Sequence, residues 1–269
     1  MVLACRNLEK GESARREIES QVPGAQLELE QLDLASLDSV REFVDRFKGG
    51  HQGLDLLINN AGVMATPRRS TADGFELQFG TNHLGHFAVT GLLIGSMEGR
   101  EGARVVTLSS GMHRFGRIAF DNLRGDTRYF RWRAYGQSKL ANLMFALELD
   151  RRLRAAGSTV RSLAAHPGWA ATNLQYAGPP AVDAAFMHVG NTVIAQSDEM
   201  GALPTLYAAT EPGLESGTFC GPDGFQEQRG HPKPVSPSGA ARDEQVARRL
   251  WEVSEEMTGV RFDLAGAAA

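Results

Sequence analysis

Short apolar runs alternate with longer amphipathic stretches along nearly the whole chain. The runs are Val2–Cys5, Gln26–Leu32, Leu54–Ile58, Arg104–Ser109, Val160–Ala164 and Gly217–Cys220. Val, Ile and Leu dominate them with little polar alternation, the pattern of parallel strands buried on both faces. Helical spacing begins near Leu8, Ser36, Asp73, Tyr129, Ser197 and Arg242. Strand, helix, strand in regular succession predicts βαβ units, and right-handed crossovers then give an α/β fold with a doubly wound parallel sheet. Asp73 followed by Glu76 reads as a capping box, Ser197 with Asp198 and Glu199 as a helix start, and Gly259 as a helix stop. Two irregular stretches, 173–196 and 221–239, interrupt the rhythm. The first holds Gly178, Pro179, Pro180 and Gly190 among apolar residues and reads as a substrate loop over about 173–197. Neither stretch divides the chain, so one domain is expected over 1–269.

Composition narrows the function classes. The 269 residues carry a net charge of −4, which gives no reason to expect nucleic acid or an anionic membrane as partner. The only cysteines, Cys5 and Cys220, lie far apart and read as small apolar fillers in a reducing compartment. No run reaches membrane-spanning length, and no basic start precedes Val2–Cys5 to make it a signal. A cytoplasmic protein is the resulting expectation.

The chemistry gathers at strand ends. YGQSK places Tyr135 and Lys139 at i and i+4, on one face of a helix. A phenol is a poor base near neutral pH because its reference pKa is about 10, and a neighbouring ammonium lowers it. The pair can then pass a proton to or from a substrate oxygen. Tyr-x-x-x-Lys alone is a weak signal, since half-buried Tyr and solvated Lys share many helices. Its company strengthens it. LLINNAG (Leu56–Gly62), VVTLSSG (Val105–Gly111) and HPGWAAT (His166–Thr172) each run an apolar strand into small and polar residues at the carboxyl edge, where open α/β sheets bind ligands. His83 and His86 stand three apart on a presumed helix. No carboxylate or cysteine accompanies them at ligand spacing, so they read as core or interface histidines and no metal is expected.

NNAG, the serine after its strand, YxxxK and PGxxxT together resemble the short-chain dehydrogenase/reductases, in the branch of retinol dehydrogenases and related carbonyl reductases. The resemblance runs from Met1 to about Phe262. It implies a Rossmann-like fold, with Tyr135 as general acid/base and Lys139 lowering its pKa and holding the nicotinamide ribose. It further implies Ser110 bonding the substrate carbonyl and Asn82, in FGTNHLGHF, anchoring a proton-relay water. Asn59, Ala61 and Gly62 would line the adenosine side, and Asp33, in QLDL, would meet the adenine. Pro167, Gly168 and Thr172 would border the nicotinamide. Arg6 past the second strand would pair with a 2′-phosphate, favouring NADP(H) over NAD(H). The implied reaction interconverts a carbonyl and an alcohol on an apolar small molecule. Trp169, Phe186 and Met187 of the loop, with Met112, His113 and Phe115, would wall its pocket. A homodimer or homotetramer paired through the helices carrying Asn82 and Tyr135 is also implied.

Val2–Cys5 matches the end of the family's second strand, so the chain reads as N-terminally truncated: the first strand, its glycine-rich phosphate turn and the first helix find no match. In the order 3-2-1-4-5-6 that strand lies between strands 2 and 4. Without it, Val2–Cys5 and Gln26–Leu32 lose their link to the sheet, and Leu54–Ile58 gains an unpaired edge. A non-catalytic cofactor-sensing or scaffold protein, or an inactive fragment, therefore stands beside the oxidoreductase as an alternative.

Overall fold

Strand β1 (Val2–Cys5) pairs in parallel with β2 (Glu28–Gln31), and helix α1 (Leu8–Gln21) joins them. Asn7 starts α1 by accepting from Lys10 N at 2.9 Å, which satisfies one of the helix's free N–H groups. In this computed structural model residues 1–168 and 197–264 are described. Helix α2 (Leu37–Gly50) opens on Ser36 and buries Leu37, Val40, Phe43, Val44 and Phe47 along one stripe. Each such side chain contributes about 1.5–3 kcal/mol of burial.

A second sheet runs in the order β3-β4-β5-β6-β7, made of β3 (Leu56–Asn59), β4 (Arg104–Leu108), β5 (Arg161–Ala165), β6 (Phe219–Pro222) and β7 (Pro232–Pro234). The first four are parallel and β7 is antiparallel. All five residues of β4 are buried, as its continuous apolar run predicts. The two sheets share no ladder among the described residues. β1–β2 stands apart and β3 pairs on one side only, so the expected break falls where the strand order places it. β7 was not expected within 221–239. Pro232 and Pro234 lack N–H donors, which suits an edge strand and hides it from an apolar-run reading.

The capping box at Asp73 is corrected. Asp73 accepts from Leu37 N at 3.0 Å and so serves the start of α2, while Glu76 itself caps α3 (Leu77–Phe79), accepting from Gln78 N and Phe79 N. A π-helical turn over Gly80–Leu84 follows, then α4 (Gly85–Leu93). Helix α5 (Arg131–Ala155) carries Tyr135 and Lys139, α6 (Asp198–Thr210) is capped by Ser197, and α7 (Glu244–Thr258) ends on left-handed Gly259.

Every residue from Tyr135 to Ala146 of α5 is buried, as are His86 to Thr90 of α4. Trp251 of α7 and Phe262 cover them, with Trp251 stacked on Phe145 at 5.7 Å and edge-on to Phe87 at 5.1 Å.

Candidate active site

Between the two sheets lies a cleft of about 2670 Å³. Ligand sites usually enclose about 300–1,000 Å³. The excess arises because the cleft continues down the gap between β1 and β3, whose residues line it. Arg6, Asp33, Ala61, Gly62, Ser110, Tyr135, Lys139, Pro167 and Gly168 all border this one space. Thr172, Trp169, Phe186, Met187 and the whole of 173–196 lie outside the described residues.

Ser110 and Tyr135 both line the cleft, and Ser110 Oγ accepts from Met112 N at 3.3 Å. Burial pushes the Tyr135 phenol up to about 12, and the Ser110 hydrogen bond works against it. Ser109 turns the other way, donating to Lys139 O at 2.8 Å inside the protein. The strand-end alternation of two successive serines thus gives one to the cleft and one to the core. Lys139 is buried, and its Nζ stands 5.8 Å from the centre of the Tyr135 ring and donates to Leu108 O at 3.2 Å. Burial draws its ammonium down to about 8. The expectation that Lys139 lowers the tyrosine's pKa is not reproduced here: burial raises the phenol and Ser110 alone works against it.

Asn82 is fully buried in the π-helical turn. Its Oδ1 accepts from Val63 N at 2.7 Å, and its Nδ2 donates to Val63 O at 2.9 Å and Ser138 Oγ at 2.9 Å. Its side chain therefore holds the loop after β3. Its carbonyl is taken by His86 Nδ1 at 2.9 Å. Asn59 also borders the cleft, while its amide nitrogen turns inward, donating to Thr90 Oγ1 at 2.9 Å and Thr107 Oγ1 at 3.3 Å. Asp33 faces the cleft but turns its carboxylate on Ala35 N at 2.9 Å, the local cap that its polar position after β2 allows.

His83 and His86 do not converge. His83 Nε2 meets Ser254 Oγ at 2.9 Å among Phe79, Phe87 and Phe145, and burial draws it down to about 3 and His86 to about 4. His113 is also corrected: it does not wall the pocket. It is buried, meets Ser110 O at 2.7 Å through Nδ1 and accepts from Ser238 N at 3.4 Å through Nε2. Met112 and Phe115 do line the cleft. The sequence reading missed Glu227, which holds Arg114 and His166 at the cleft wall. No local pattern could have exposed it, because its partners lie 113 and 61 residues away.

A nicotinamide dinucleotide fits the cleft at its two ends. Arg6 stands exposed at one, with Tyr135, Lys139 and Ser110 at the other. Between them Gly62 keeps the backbone open, since a Cβ there would stand 2.9 Å from Asn82 Oδ1 and 3.6 Å from Lys139 Nζ. No glycine-rich turn borders the cleft among the described residues.

Known proteins place this arrangement. Residues 1–180 match the short chain dehydrogenase family. Human retinol dehydrogenase 13 is 40% identical over 266 residues, spanning 97% of this chain and 77% of the relative. Mouse retinol dehydrogenase 11 is 41% identical over 262 residues, spanning 97% and 79%. An uncharacterised protein from Mycobacterium paratuberculosis shares the structure with a TM-score of 0.78 and 45% identity, over 97% of this chain and 85% of that one. The L-sorbose reductase of Gluconobacter frateurii, solved with NADPH and L-sorbose, shares the fold with a TM-score of 0.60 at 16% identity, over 81% and 83%.

These relatives overturn the cytoplasmic expectation. The retinol dehydrogenases 11 to 14 are membrane-associated enzymes, so a composition without an apolar span does not assign the compartment. No helix among the described residues is long and apolar enough to cross a membrane, which says nothing against association with one. The chain belongs to the short-chain dehydrogenase/reductase family, in its retinol dehydrogenase-like branch, and is an NAD(P)-dependent oxidoreductase of alcohols and carbonyls.

Proposed function

We propose that the chain interconverts a carbonyl and an alcohol on an apolar small molecule with NADP(H), and that Tyr135 moves the proton. The observation that carries this reading is the gathering of Ser110, Tyr135 and Lys139 on one cleft, with the Lys139 ammonium 5.8 Å from the Tyr135 ring centre. Bound nicotinamide supplies or takes the hydride. Ser110 donates to the substrate oxygen and polarises it. Tyr135, held protonated at neutral pH, gives its proton to the alkoxide that reduction creates, a far stronger base than phenolate. Lys139, whose Nζ stands 5.8 Å from the ring centre and donates to Leu108 O, would hold the nicotinamide ribose through its ammonium.

An apolar substrate is supported by the mouth of the cleft. Phe115, Trp132, Leu206 and Phe225 line it, with Phe115 77% and Phe225 83% exposed. Relatives named as retinol dehydrogenases fit that substrate class. NADP(H) is favoured over NAD(H) because Arg6 borders the cleft while Asn7 is occupied in capping α1.

Fluorescence titration with NADPH and NADH tests the cofactor choice. The wild-type chain binds NADPH more tightly, and Arg6→Ala weakens NADPH by about 10-fold or more while leaving NADH unchanged. Equal affinity for both cofactors, unchanged by Arg6→Ala, contradicts it. Binding of neither contradicts the enzyme reading and favours the scaffold or fragment.

A further inference from the structure

Glu227 spans two turns that the sheet does not join. The β4–β5 ladder ends at Leu108 and Ala165, with Ser109 N donating to Ala165 O at 2.8 Å. Beyond it the chain after β4 turns through Ser110 and the 3-10 turn Gly111–Phe115, and the chain after β5 turns through His166, Pro167 and Gly168. Arg114, on the first turn, donates to both Glu227 oxygens, at 2.9 and 3.0 Å. His166, on the second, meets Glu227 Oε2 at 3.1 Å through Nε2. Gly168 N donates to His166 Nδ1 at 3.3 Å. That bond makes Nδ1 the acceptor and Nε2 the protonated nitrogen, so the imidazole donates to Glu227.

The surrounding backbone is built around this contact. Gln226 and Glu227 are both left-handed, at φ 49 and 57, a conformation that non-glycine residues hold only where packing enforces it. Gly221 lies against His166 so closely that a Cβ there would run into Nε2. Gly168, at φ 69, packs against Gln228 O in the same manner. The imidazole is 1% exposed and the Glu227 side chain 21%. Both partners hold the Glu227 carboxyl down at about 2, so it stays charged.

We propose that Glu227 is a positioning residue for carbonyl reduction: by holding Arg114 and His166 together it fixes the Ser110 turn against the Pro167–Gly168 turn across the cleft. Substrate oxygen and nicotinamide would meet between those turns, so this inference rests on the function proposed above. Relative displacement of the two turns then changes the chemical step more than cofactor affinity.

Glu227→Gln keeps the side chain's shape and removes its charge. The expected result is NADPH affinity within about twofold of wild type and turnover of an apolar aldehyde lower by on the order of 10²-fold. Arg114→Ala, on the exposed side of the chain of contacts, lowers turnover in the same direction, and Arg114→Lys restores part of it. The double variant is no worse than the worse single one. Nitrogen-15 spectra of His166 read the contact without catalysis. Wild type shows the Nε2–H tautomer and a protected Gly168 amide, and Glu227→Gln loses the protection. Wild-type turnover in both Glu227→Gln and Arg114→Ala, or a His166 tautomer and Gly168 protection unmoved by Glu227→Gln, overturns the proposal. If the wild-type chain turns over no carbonyl substrate, the functional reading fails by itself, and the His166 and Gly168 signals still decide whether Glu227 holds the turns.

Discussion

Asn82 grips Val63 at both ends of its peptide groups, its Oδ1 on the N–H at 2.7 Å and its Nδ2 on the carbonyl at 2.9 Å. One buried side chain on the π-helical turn thus fixes the loop that follows β3, and the same Nδ2 reaches Ser138 on the helix of Tyr135. Two walls of the cleft are tied through a single carboxamide. Asn82→Ala leaves those Val63 groups without their partner and is expected to cost about 2–4 kcal/mol of stability. Chemical denaturation measures it, and a loss below 0.5 kcal/mol, the scatter of neutral surface changes, contradicts the assignment.

The same geometry makes Gly62 a matter of space. Its φ is not left-handed, yet an added Cβ would meet Asn82 Oδ1 at 2.9 Å. Gly62→Ala must push either the loop or the amide, a strain of about 1–3 kcal/mol. NADPH titration is expected to show affinity reduced by at least about tenfold. An unchanged dissociation constant would show that the loop after β3 does not approach the cofactor.

How much of this was legible in the sequence depends on how far each bond reaches. Ser36 and Ser197 were readable as helix starts because a cap is satisfied within three residues, by Ser39 N and Met200 N. The buried strand β4 was readable because every one of its residues faces protein. Asp73 was misread because its partner, Leu37 N, lies 36 residues away. The motif marked the positions of Asn82 and Asn59, while their side-chain partners, Val63 and Ser138 for one and Thr90 and Thr107 for the other, depend on the assembled fold and had no local signal. Ser110 was separable from Ser109 only through the motif, and the structure supplies the physical difference: Ser110 Oγ caps the turn after β4 at Met112 N, while Ser109 Oγ donates to Lys139 O.

Lys139 predicts a pH dependence. Burial draws it from 10.5 down to about 8. Between those values the unfolded chain binds more protons than the folded one, so stability rises with pH across the window and falls as pH drops toward 8. Tyr135, raised from 10.0 to about 12, acts with the opposite sign above its ordinary value, which leaves pH 8 to 10 as the clean interval. Lys139→Met is expected to flatten the slope there. In catalysis, kcat/KM for carbonyl reduction falls as the ammonium discharges above about 8, and the variant lacks that limb. A wild-type profile flat from pH 7 to 9, an interval bracketing that value, contradicts the role given to the charge.

Trp251 closes the surface of α4 and α5 through Phe145 at 5.7 Å and Phe87 at 5.1 Å. Trp251→Ala is expected to cost about 3–5 kcal/mol and to uncover those rings. Light scattering after size exclusion then shows self-association beyond that of the wild type. Unchanged stability and unchanged mass would mean that α7 is not the cover it forms here.

The most direct test of the account is Tyr135→Phe. NADPH oxidation is followed with an apolar aldehyde, and NADPH binding is titrated on the same samples. The account predicts aldehyde-dependent oxidation by the wild type, and a variant that binds NADPH with the same dissociation constant while turning over at least about 10²-fold more slowly. A variant that retains wild-type turnover would contradict Tyr135 as the proton donor, and with it the reading of the Ser110–Tyr135 pair as the catalytic centre.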